Sequence, residues 1–274
     1  MKKGVSTLLF VMAFLIGLSL LLYPTISDYI NQFHQSRAIG EYAEQIAYMD
    51  DETFDLMWAD AVAYNAELTK RDNPYLLSDD QKVTYEALLN TDGSGIMGYI
   101  EIPSIDCYLP IYHGTSASVL QRAVGHLEWT SLPVGGESTH SVFSGHRGLP
   151  SAKLFTNLSK VVVGDVFMIR VLNETLTYEV DQIITVLPDD TAALTVTEGC
   201  DYCTLVTCTP YGINTHRLLV RGHRIENLAE SRTVRVTADA IQIEPVIIAP
   251  IVAIPLFIVF MMLTVSFDRK RNHK

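Results

Sequence analysis

Three of the four cysteines fall within CDYCTLVTC, residues 200–208, and Arg217 follows Cys208 nine residues on. Thiols at this spacing suit a zinc site, a dithiol redox pair, or one nucleophile beside two bystanders. A structural zinc site built on the Cys200–Cys203 C-x-x-C wants a second pair roughly 12–20 residues away. Downstream, His216 and His223 are seven apart, outside the usual H-x₃₋₅-H spacing, so no metal is expected. A reactive C-x-x-C draws its low pKa from a helix N-terminus, whereas the β-type run TLVT follows Cys203. Cys107, alone in DCYLPIY, reads as a small buried hydrophobe.

Cys208 then stands as the nucleophile. A thiol in that role needs a base or cation to form thiolate, and a donor for the tetrahedral oxyanion. A turn through TPYGIN would fold the strand of Arg217 back beside that of Cys208, bringing guanidinium near thiol. The base must be a histidine from elsewhere. His146 in SGHRG, held between glycines at a strand end, is the strongest candidate, with His113, His126 and His223 also near strand ends.

The elements that must position these groups follow from hydrophobic period. From His34 to Leu68 the spacing of Phe54, Met57, Trp58, Ala61 and Leu68 predicts an amphipathic helix without a proline break. KRDNPYLLSDD then interrupts it. After TDGSG the period becomes two: GYIEIPSIDCYLPIYHG reads as two strands around Pro103, SVFSGHRG as a strand ending in a turn. VFMIRVL, TLTYEVDQIITV, TLVTC and RLLVRGHR supply four more. SASVLQRA and SAKLFTNL look like short helical turns. The expected class is mainly β, a closed barrel or sandwich.

Apolar residues make up 48% of the 274, and the excess sits at the ends. Gly4–Ser27 and Pro245–Phe267 hold no charged residue, and each is long enough to cross about 30 Å of hydrocarbon as a helix. The first run exceeds a signal-peptide core and lacks an A-x-A-like site. Lys2 and Lys3 precede it, and DRKRNHK closes the second. The positive-inside rule puts both tails in the cytoplasm and the intervening segment outside. The net charge is −11; with tails of +2 and +3, the segment between carries −16. Such an acidic domain disfavours nucleic acid; its setting is the lipid bilayer surface. The expected organisation is 1–27 tip and anchor, 28–93 helical region, 94–226 catalytic barrel, 227–244 linker, 245–267 second span and 268–274 basic tail.

TLVTC at 204–208 resembles the TLxTC signature of the sortases, cysteine transpeptidases of the Gram-positive surface. THSVFSGHRGLPSAKLF, TLVTCTPYGINTHRLLVRGHR, GIMGYIEIP and LPIYHGTS together look like a class C, pilin-polymerising member. The resemblance implies an eight-stranded barrel and places the catalytic histidine on His146, the nucleophile on Cys208 and the arginine on Arg217. It further implies an LPxTG-like sorting signal on a secreted pilin or surface protein as substrate, a pilin lysine as acceptor and no cofactor. Many class C members carry a D-P-F or D-P-W lid. Asp72-Asn73-Pro74-Tyr75 matches it with an extra Asn and a Tyr, giving Asp72 and Tyr75 as lid residues against a plain turn. Trp129 in GHLEWTSLP stands where a small residue is expected, and is read as capping the barrel rather than lining a peptide groove. The competing functions are anchoring to a peptidoglycan amine, a doubly anchored non-catalytic scaffold, and a hydrolytic cysteine protease.

Overall fold

The alternating strands close on themselves because each buries one face and leaves no edge unpaired. The computed structural model describes residues 2–71 and 75–227, with side chains from Phe10 onward, and Ile254 and Ile258. Two units are distinguished, residues 1–27 with 234–274, and residues 28–233. In the second unit eight strands form a barrel: β1 (Ile96–Ile102), β2 (Cys107–His113), β3 (Val124–His126), β4 (Thr139–Ser144), β5 (Val166–Val171), β6 (Glu174–Val186), β7 (Asp201–Thr209) and β8 (His216–Ile225). Their order around the barrel is β1-β2-β3-β4-β7-β8-β6-β5. The β2–β3 and β4–β7 pairs are parallel, the rest antiparallel.

Period two sorts side chains between the interior and one outer face. Ile100, Phe143, Phe167, Cys203, Leu205 and Val220 fill the main core. Val142, Val206 and Leu219, one residue out of phase, form a second cluster with Leu194, against which Trp129, Ile184 and Val186 pack. That outer face carries the candidate site.

The helical region differs from its expected form. One helix was expected from His34 to Leu68; the chain instead forms α1 (Lys2–Ala47) and α2 (Asp51–Leu68). Asp50 starts α2 as its N-cap, accepting from the Thr53 amide at 2.7 Å, which satisfies a donor the first turn leaves open. Phe10–Ala47 of α1 is, among the described residues, the one helix long and apolar enough to span a membrane. The second expected span, 245–267, lies outside the described residues apart from Ile254 and Ile258, both helical. Between α2 and the barrel, where KRDNPYLLSDD gives way, lies α3 (Asp79–Ala87), inside the expected helical region. Its Ser78–Gln81 capping box was legible as S-x-x-Q. The short turns fall where expected, as α4 (Ala117–Leu120) and a 3₁₀ segment at Leu154–Lys160.

Helix α3 is tied to the barrel through a buried polar chain. The Tyr85 hydroxyl lies 2.9 Å from His126 Nδ1 and accepts from the Gly114 amide at 3.0 Å. His126 Nε2 faces the Ser131 carbonyl at 2.8 Å. Burial lowers the imidazole pKa to about 3, against the opposing pull of the Ser131 carbonyl. A histidine so depressed stabilises the fold above its unfolded pKa of about 6.5, and that stability is lost as pH falls toward 3. The unfolding free-energy advantage of the parent over His126→Gln should therefore shrink by about 2 kcal/mol between pH 7 and 4.5. Chemical denaturation across that range reads it, and a constant difference would refute the coupling.

Candidate active site

Strand β7 ends at the candidate nucleophile and β8 begins at the candidate cation. Cys208 and Arg217 are direct register partners across this antiparallel pair, which typically holds opposed Cβ atoms about 4.5–5.5 Å apart. The turn between them is built as its sequence demands, with Gly212 at φ +75° and Asn214 at φ +62°, positions that favour glycine and asparagine. Arg217 Nη1 donates to the carbonyls of Asn214 at 3.2 Å and His216 at 3.1 Å. These bonds fix one edge of the guanidinium on its own turn.

His146 reaches the same place from the other side. Strands β4 and β7 run parallel with Ser144 opposite Val206, and the Gly145 amide donates to the Val206 carbonyl at 3.0 Å. Thr207 Oγ1 donates to the Gly145 carbonyl at 2.7 Å. Extending this register by two residues sets His146 level with Cys208. Gly145 packs against the core, where a Cβ would meet the Phe155 ring at 2.7 Å, so alternation turns His146 outward, toward the face of Val206 and Cys208. Cys208, His146 and Arg217 are all half-buried.

The rival histidines are committed elsewhere. His126 is the buried link to Tyr85 described above. His113 has Nδ1 at 2.9 Å from the Gly95 carbonyl and Nε2 at 2.7 Å from the Leu88 carbonyl. His223 lies opposite Tyr202, at the far end of β7 from the thiol.

The other cysteines divide by environment. Burial pushes the Cys107 thiol up to about 12, as its reading as a buried hydrophobe requires. Cys203 is fully buried in the barrel, and burial, reinforced by Asp201, drives its thiol well above the usual range. Cys200, just before β7, is half-buried and two residues from Tyr202, over whose ring Arg221 lies at 4.1 Å. Cys200 and Cys203 thus point to opposite sides of the wall and do not converge; all four thiols are free. Cys200→Ala and Cys203→Ala are expected to retain most of the turnover in a peptide assay, Cys203→Ala at some cost in stability. Loss comparable to Cys208→Ala would overturn this division.

Along the same outer face lies a cavity of about 420 Å³ whose lining includes Leu68, Arg71, Tyr75, Trp129, His140 and Leu194. His140 Nε2 meets Thr204 Oγ1 at 2.7 Å; Thr204 precedes Cys208 by four residues, roughly 13 Å along a strand. Trp129, expected to cap the barrel, packs instead on the outer cluster and against Tyr75, ring centroids 4.9 Å apart. Asp72 lies outside the described residues. The loop that contributes Leu194 to the cavity, LPDDTAALTVTEG, has no hydrophobic period, and sequence reasoning gave it no role.

The barrel order and the placement of these side chains invite comparison with proteins of known family. The profile described as Sortase domain matches residues 100–225. Sortase C1 of Streptococcus agalactiae is 51% identical and superposes with a TM-score of 0.69 over 70% of this chain and 100% of its own. The chain belongs to the sortase family. A second solved sortase C, from Streptococcus pneumoniae and studied for its pilin substrate specificity, is 44% identical with a TM-score of 0.61, covering 70% of this sortase and 97% of its own chain. Sortase D of Bacillus subtilis is 31% identical over 47% of this sortase, and the match spans 63% of that protein's own length. The family is one of cysteine transpeptidases, and the solved neighbours at 44–51% identity are class C members.

Proposed function

We propose that this sortase is a class C transpeptidase that assembles covalent pili. Sortases act on LPxTG-type sorting signals of surface proteins and pilins. In this chain, Cys208 Sγ would attack the threonine carbonyl carbon of such a signal. The Thr–Gly C–N bond breaks as His146 gives its proton to the departing glycine amine, leaving a thioester on Cys208. An amine, read as a pilin lysine side chain, attacks the thioester; His146 takes its proton, the new amide forms and the thiolate is released. Arg217 serves the developing oxyanion or the bound peptide. These steps draw on no metal or cofactor.

The observation that carries this assignment is the opposition of Cys208 and Arg217 across β7 and β8, with His146 entering from the parallel neighbour. The cavity on the same face favours an extended peptide, and Tyr75 against Trp129 favours reading Asp72–Tyr75 as a lid over it. The apolar part of α1 supports anchoring in the cell membrane. We further propose that 245–267 forms a second span, with both termini cytoplasmic and the catalytic domain outside.

The test is the fate of the acyl group. Full-length protein in detergent, given an LPxTG-like peptide and a pilin bearing the acceptor lysine, should yield an isopeptide-linked product by mass spectrometry. A product formed only with a peptidoglycan-type amine would favour wall anchoring. Hydrolysis indifferent to any amine would contradict transpeptidation.

A further inference from the structure

The loop that follows His146 is fastened on two sides. On one, the Phe155 amide donates to the His146 carbonyl at 3.1 Å, closing residues 146–155 into a loop. There Arg147 donates from Nη1 to Thr209 Oγ1 at 3.2 Å and from Nη2 to Ser159 Oγ at 2.9 Å. The first of these bonds ties the loop base to the end of β7, beside Cys208.

The other side is helix α1. Asp28 Oδ1 accepts from the Lys153 amide at 2.7 Å, and Asn31 Nδ2 donates to the Ser151 carbonyl at 2.7 Å. Asp28 and Asn31 are three apart and so share a helix face. Both grip backbone at the loop tip, where a Leu149–Ala152 bridge tightens the bend and Ala152 and Leu154 are buried. The Asp28 side chain is only 18% exposed, against 65% for Lys153. The bond to the backbone amide, charge-assisted and shielded, is therefore the stronger constraint; the exposed ion pair at 3.9 Å adds little. Asp28 is the first charged residue after the uncharged run Gly4–Ser27. The same helix thus carries the apolar run and grips the loop of the proton-transfer residue.

We infer that Asp28 and Asn31 are positioning residues for His146. The inference rests on the transpeptidase reading, in which His146 moves the proton. They touch neither substrate nor thiol; they hold the far end of the loop so that its near end keeps the imidazole level with Cys208. A shift of about 1 Å at a reacting group can cost 10²-fold in rate, so a loosened loop should lower kcat while leaving peptide binding alone.

The experiment uses full-length protein in detergent with a fluorogenic LPxTG-like peptide. Asp28→Ala/Asn31→Ala should lower kcat roughly tenfold with KM within about twofold of the parent. Asp28→Asn, whose Oδ1 can still accept from the Lys153 amide, should restore most of the rate in the Asn31 background. Gln35→Ala is the control: Gln35 donates from the same helix to the Arg122 carbonyl at 2.7 Å, away from this loop, and kcat should stay at the parent value. Amide hydrogen exchange over residues 146–155 reads the clamp without turnover, and should quicken in the double variant but not in Gln35→Ala. Should the double variant fail to fold, Asn31→Ala alone carries the same expectations in smaller degree. Unchanged kcat with unchanged exchange, or an equal loss of kcat in Gln35→Ala, would overturn the inference. A parent without Cys208-dependent turnover would instead sink the functional reading, and the exchange result would still decide the clamp.

Discussion

Cys208→Ala is expected to abolish transpeptidation, with kcat falling on the order of 10⁴-fold or more and no acyl-enzyme formed. The size follows from the chemistry: with the thiol gone no covalent intermediate exists, and positioning and oxyanion donors alone give little residual rate. The fold should survive. Cys208 is half-buried at the strand end, outside both apolar clusters, so the substitution removes no core volume. Circular dichroism and thermal unfolding near the parent values would show that chemistry alone was lost. Retained turnover in this variant would remove Cys208 from the mechanism.

His146→Ala should cost roughly 10²- to 10⁴-fold in kcat with an amide substrate, the usual range for a general acid–base group. A sharper expectation follows from its role. The glycine amine is a poor leaving group and needs the proton; an activated ester of the same peptide does not. Acylation of Cys208 by the ester should therefore be impaired far less than acylation by the amide. An equal loss on both would point to a part in forming the thiolate rather than in protonating the leaving amine. Full activity on both would return the search to other histidines. Of these, His113 and His126 are already held by protein carbonyls and Tyr85, and His223 sits at the opposite end of β7.

The parts of this site legible in the sequence are those written in short-range pattern. TLVTC and RLLVRGHR alternate on either side of TPYGIN, so the pairing of Cys208 with Arg217 follows from a turn and a period. The glycines around His146 marked an exposed strand end, yet choosing it over three other histidines took the family resemblance. Only the parallel β4–β7 register, between segments about sixty residues apart, sets the end of β4, two residues short of His146, beside the end of β7. The break between α1 and α2 was missed because no proline or glycine marks the junction from Ala47 to Asp51, and the Asp50 cap is a polar residue among many. Strand β3, three residues long, is too short for any period to register. The role of Trp129 depended on which face of the wall its loop covers, a tertiary fact. The C-x-x-C, the most conspicuous motif, is explained by its strand: one cysteine faces the core and the other lies outside it.

The claim on which all this rests is that Cys208, and not a neighbouring thiol, carries the acyl group. Full-length protein trapped with an LPxTG-like peptide can be digested with trypsin and its modified peptide fragmented. No Lys or Arg lies between Arg170 and Arg217, so Cys200, Cys203 and Cys208 leave on one peptide and fragment ions must separate them. The acyl mass is expected on Cys208, with Cys200 and Cys203 unmodified. The same mass on Cys200 or Cys203, or no adduct from a folded protein turning over the peptide, would contradict the account.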